Sequence, residues 1–162
     1  MPRNFFWPGL LFVLTFLMLI FVPRERITRL LPLGLIAGFG GGIALLSLLV
    51  RFLGYWGFNY PGVFSVSGFS LWAALAWTPV VIIFVHFLYH PDTRQGLYGY
   101  VFAFALTTAF FVQWLGSIGH LTFRGWNIWM TFLAALILYG LTAYAAFRTG
   151  MVRDRSLEWR ED

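Results

Sequence analysis

Five apolar runs separated by short polar connections constrain this chain more than any other feature. They cover about residues 5–22, 31–53, 69–89, 97–119 and 128–147. A helix that crosses the hydrocarbon layer of a bilayer, about 30 Å thick, needs about 20 mainly apolar residues at about 1.5 Å each. The runs are close to that length. Composition decides between a membrane and a buried core: 60% of the residues are hydrophobic and 10% are charged, against about 25% charged in soluble domains. A chain of 162 residues has too little polar surface to cover that much apolar material. The expected fold class is all-α, an integral membrane bundle of five transmembrane helices in one domain spanning residues 1–162, with residues 148–162 as a mixed-charge tail. The first run could be read as a signal peptide. It lacks a small-residue cleavage site and four more runs follow, so it is read as a retained helix.

Charge gives the expected orientation. The 11 basic residues are all arginine. Arg24, Arg26, Arg29 and Arg94 lie in the first and third connections, and Arg148, Arg153, Arg155 and Arg160 in the tail. Five spans put those segments on one side, leaving Arg3, Arg51 and Arg124 on the other. The positive-inside rule then places the N-terminus outside and the C-terminus in the cytoplasm of a bacterial inner membrane. The high pI, about 10.1, is thereby a topology signal, and no nucleic-acid partner is expected. The chain has no cysteine, which excludes disulfides, thiolate catalysis and cysteine metal sites.

The stretch Gly38-Phe39-Gly40-Gly41-Gly42 lies inside the second run. A dinucleotide fingerprint needs a further glycine at a fixed spacing after a strand, and a Walker loop needs Gly-Lys-Ser/Thr. Neither pattern is present. Gly34, Gly38 and Gly42 instead recur every four residues, with Ala37 and Gly41 beside them. That spacing predicts one bare helix face, where a neighbouring backbone approaches closely. An intramolecular packing seam is the first reading and a self-dimer seam the second. In the third run Pro79 predicts a kink, since proline removes a donor and presses on the carbonyl of Leu75. Ser70, Ala73, Ala74 and Thr78 before it suit close packing.

Ionisable groups inside a membrane are the usual pointers to function. No Asp, Glu or Lys falls within the five runs, which weighs against a proton-coupled transporter. His86 and His90 are one helical turn apart and form a candidate metal pair, with Asp92 as a possible third ligand. At the other end of the bundle, Gln113, Ser117 and His120 stand at i, i+4 and i+7, and Ser47 and Arg51 at i and i+4. With Asn59, Arg124 and Asn127 nearby, Arg51, Gln113, Ser117 and His120 are a candidate site for an anionic or carbonyl-bearing amphiphile. The alternative is that Arg51 snorkels to headgroups and Gln113 bonds a neighbouring helix. The sequence specifies no cofactor. It offers no paired carboxylates, no Ser/His/acid arrangement and no aspartate-rich motif.

The stretches "FVPRERITRLLPLGLI" and "LWAALAWTPVVIIFVHFLYHP", with the Trp-Pro of the opening helix, resemble an uncharacterised family of small multi-pass bacterial membrane proteins. The resemblance covers about residues 5–91. It implies an inner-membrane helical protein with no established activity and carries over no site residues. The first functional expectation is a non-enzymatic accessory or assembly subunit, partnered by the lipid bilayer and by itself or a larger membrane complex. The alternative is a membrane-embedded binding protein or enzyme for a lipid, quinone or pigment. A small transporter ranks third.

Overall fold

The computed structural model describes residues 5–62, 64–88 and 94–152. Five helices make up most of it: α1 (Phe6–Phe21), α2 (Arg24–Phe52), α3 (Leu71–Phe87), α4 (Arg94–Ser117) and α5 (Ile128–Arg148). Of these, α2, α4 and α5 are long and apolar enough to cross a membrane. The other two are apolar but shorter, 16 residues in α1 and 17 in α3.

Two boundaries differ from expectation. α2 begins at Arg24 rather than near residue 31, because Pro23 precedes an amphipathic segment, "RERITRLLPL", that continues directly into the apolar run. Hydropathy alone detects only the apolar part. α4 stops at Ser117, and Gly119 follows with φ of +79°, a left-handed turn that suits glycine.

The all-α expectation needs correcting at one end of the bundle. There the α2–α3 and α4–α5 connections pair as strands. β1 (Trp56–Phe58) runs antiparallel to β4 (Leu121–Phe123), with Trp56 opposite Phe123 and Phe58 opposite Leu121. β2 (Ser65–Val66) and β3 (Phe69–Ser70) form a hairpin. Its two turn residues, Ser67 and Gly68, have φ of +53° and +87°, as a tight type I′ hairpin turn requires. Strands of two or three residues are too short to show a period of two, so they read as aromatic connection. These strands cap this end of the bundle, the cap end.

The cap is held by specific bonds. Asn59 Nδ2 donates to the Gly119 carbonyl at 2.9 Å, and its Oδ1 accepts from Thr122 Oγ1 at 2.7 Å. Trp7 Nε1 donates to the Tyr60 carbonyl at 3.0 Å, tying α1 to the cap. Asn127 caps α5, its Oδ1 accepting from the Met130 amide at 3.0 Å.

α3 is the central helix. Its buried residues lie on all sides and include Ala73, Ala74, Ala76, Thr78, Val81, Ile82, Phe84 and Val85. It packs against α1 and α2, while α4 packs mainly on α5. Pro79 lies within the unbroken helix. The glycine face of α2 meets α3 closely enough to leave no room for side chains. A methyl group on Gly38 would stand 2.8 Å from both Thr78 Cα and the Trp77 carbonyl oxygen. On Gly42 it would stand 3.1 Å from the Ala74 carbonyl oxygen, and on Gly34 2.7 Å from Ile82 Cγ1. Gly34–Gly40 and Ser47–Phe52 are wound as π-helix, with α-helix between them. Four residues overshoot an α turn by about 40° and fall short of the wider π turn. Alternating the two windings keeps the three glycines in line.

Candidate functional site

The described contacts of the expected polar cluster lead in different directions. Arg51 is exposed near the end of α2, and its Nη1 donates to Ser67 Oγ in the hairpin at 3.0 Å. Gln113 and Ser117 are exposed on α4, and Ser117 Oγ donates to the Trp114 carbonyl at 2.8 Å. His120 lies beyond the end of α4, so the i+7 relation to Gln113 does not hold. Its ring stacks on Phe6 of α1 at 3.7 Å, with Trp7 and Tyr60 edge-on at 6.2 and 6.1 Å. The helical spacing failed here because it assumed a helix that Gly119 ends. The Asn59, Asn127 and Arg124 contributions are structural: Asn59 clips the strands, Asn127 caps α5, and the Arg124 amide donates to the Tyr55 carbonyl at 2.8 Å.

His86 is buried near the far end of α3, with its ring edge-on to Phe87 at 5.0 Å. His90 and Asp92 lie outside the described residues. Among the described residues, no three His, Cys, Asp or Glu side chains stand together as a metal site.

The structure instead brings apolar residues together around a cavity of about 280 Å³ beneath the cap. Ala73, Ala76, Trp77, Val80 and Ile83 of α3 form its floor. Trp7, Leu10 and Leu14 of α1 make one wall, and Phe104, Thr108, Phe111, Val112 and Leu115 of α4 the other. Trp56 and Phe58 of β1 and Leu121 of β4 close the cap end. The space exists because α1 rests on α3 and α4 rests on α5, so neither turns its packing face to the other. Ala73 and Ala76 deepen the floor between them.

Few polar groups reach this cavity. Thr107 Oγ1 donates to the Ala103 carbonyl at 2.9 Å. The Thr108 and Tyr139 hydroxyls are 2.9 Å apart and share a hydrogen bond. Trp56 Nε1 is buried and has no hydrogen-bond partner among the described residues. Sequence reading missed the cavity because Leu, Ala, Phe and Trp look the same whether they fill a core or line a void. The available signal was the alanine pair, which reads equally as a packing surface. Comparison with protein families, with curated proteins and with solved structures returned no match to this chain.

Proposed function

We propose that this protein is a five-span membrane protein that holds the apolar chain of a membrane amphiphile in the cavity beneath its cap. The cavity carries this reading: an apolar space of about 280 Å³ walled by helices that do not close on each other. Water gains little in such a space, whereas a hydrocarbon chain fills it with dispersion contacts. The ligand site is thus the cavity rather than the polar cluster of Arg51, Gln113, Ser117 and His120.

The five-span topology has its own support. At about 1.5 Å per residue, α1 and α3 are about 24 and 26 Å long, just short of the hydrocarbon thickness. Arg24, Arg26, Arg29 and Arg148 sit at the far end, and Arg51 and Arg124 at the cap end. On the positive-inside rule the cap faces outward and the C-terminus lies in the cytoplasm of a bacterial inner membrane. Single cysteines at Asn59 and Arg155 then label oppositely with a membrane-impermeant reagent in intact cells. Labelling at Arg155 alone inverts the orientation.

The accessory-subunit reading loses its first motive, since α3 occupies the glycine face. It keeps the exposed face of α5, with Trp129, Leu133, Ile137, Leu141 and Tyr144, which suits lipid or a neighbouring protein. A photoactivatable amphiphile with a diazirine at the end of its alkyl chain tests the main reading. Labels are expected on Ala76 and Ile83 of the enclosed α3, and to disappear in Ala76→Phe. Labels confined to outward residues such as Phe12, Phe16 and Leu141 would refute it.

A further inference from the structure

We propose that the cavity is entered sideways, through a window between α1 and α4, and that its occupant is one chain of a two-chain lipid from the cap-side leaflet. The inference rests on reading the cavity as an amphiphile site and adds its route and its lipid class. The first observation is where the α1 wall is sealed. Trp7 and Met18 are buried, at 3% and 8% exposure. Trp7 belongs to an apolar cluster with Leu115 and Leu121, and Met18 to a separate one with Val81 and Val85. Between the two seals Leu10 and Leu14 line the cavity and are half-buried. From Trp7 to Met18 is about 16 Å of helix, about half of the hydrocarbon layer and so the depth of one leaflet.

The second observation is where the lining is open. Among the described residues that line the cavity, Thr107 and Phe111 alone are exposed, and both lie on α4. Behind them Trp77, Val80 and Ile83 are only half-buried, although α3 is the central helix. The cap end differs. There Trp56 and Leu121 are buried and their strands are paired, and Phe58 packs on Trp7 and Phe69, at 5.0 and 6.5 Å between ring centroids. The third observation is what the window faces. Val13 and Leu17 beside it on α1 are exposed, as are Phe110 and Trp114 on α4. No charged residue lies between Arg3 and Arg24 or between Arg94 and Arg124. Such a rim meets hydrocarbon freely and water only at a cost that grows with its area. A window onto lipid admits one chain while the headgroup and the second chain stay in the bilayer. Entry through the cap would instead suit a single-chain amphiphile arriving from water.

The test uses the full chain in nanodiscs containing a phosphatidylcholine with a diazirine at the end of one acyl chain. Irradiation and peptide mass spectrometry read labels on Ala76 and Ile83. The chain has no native cysteine, so each route can be closed through introduced ones. Gly57→Cys with Thr122→Cys locks the cap: a Cβ added to Gly57 stands 3.8 Å from Thr122 Cβ, the usual separation in a disulfide. Thr107→Cys puts a thiol at the window for alkylation by a lipid-soluble benzyl maleimide. Labelling of α3 is expected to be equal in the oxidised and reduced cap variant. It is expected to be lost when Thr107→Cys is alkylated, and not before. A membrane-impermeant maleimide is expected to leave that thiol unmodified. Thr107 is exposed, so this arm decides the matter even if the cap variant does not fold. Loss of labelling on oxidation, its survival after alkylation, or reaction with the impermeant reagent overturns sideways entry and leaves the cavity reading standing. Labelling of α3 by a diazirine fatty acid but not by the phospholipid overturns the two-chain class. No labelling of α3 by either probe in wild type overturns both readings.

Discussion

The two sides of α3 carry nearly the same residues and do opposite things. On one side Ala74 and Thr78 meet the glycines of α2, backbone against backbone, with no room for an added methyl at Gly38. On the other side Ala73 and Ala76 floor a space of about 280 Å³. Small side chains therefore do not by themselves specify close packing. What decides is the neighbour. Glycine on α2 lets the two backbones approach, and in lipid such approach is held by dispersion and weak Cα–H···O contacts rather than by the hydrophobic effect. α1 and α4 present Leu10, Leu14, Phe104 and Phe111 and do not pack on each other, so the same alanines leave a void.

The largest effect that tests this contrast falls on the tight side. Gly38→Leu puts a branched side chain where even a methyl would stand 2.8 Å from Thr78 Cα. Neither backbone can yield, so the expected loss is about 3 kcal/mol or more, the upper end for over-packing. Gly34→Ala meets a side chain rather than backbone, Ile82 Cγ1 at 2.7 Å and Cδ1 at 2.9 Å, and should cost about 1 kcal/mol. Gly40 is exposed and an added methyl meets only the Leu35 carbonyl oxygen, at 3.6 Å. Gly40→Leu should stay within about 0.5 kcal/mol of wild type. Thermal unfolding of the three variants in one detergent measures the order. Equal losses at positions 38 and 40 would break the contrast from the tight side.

The helices were legible because each carries a long apolar run, and three of them are long and apolar enough to cross a membrane. The glycine repeat was legible as a bare face for the same reason: its spacing is helical. The π winding that keeps the face straight was not, since wider turns leave no compositional trace. The cap was illegible because its strands are two or three residues long and draw their partners from connections more than sixty residues apart, Trp56 with Phe123. His120 shows the cost of extending a helical spacing past its end, and Gly119 was the warning. The cavity left only the alanine pair as a signal, which reads equally as a packing surface. Ala73 and Ala76 acquire their meaning from where α1 and α4 come to rest, which is a property of the assembled bundle.

Under the proposed function the protein fills one side of α3 with itself and the other with a membrane chain. Native mass spectrometry of protein released directly from membrane vesicles tests it most directly, comparing wild type with Ala76→Phe. The phenyl ring enters existing space, so the variant should unfold within about 1 kcal/mol of wild type. Wild type should carry one amphiphile of a single chemical class per chain, and Ala76→Phe should emerge without it. Wild type emerging bare, or both proteins carrying the same amphiphile, would contradict the account.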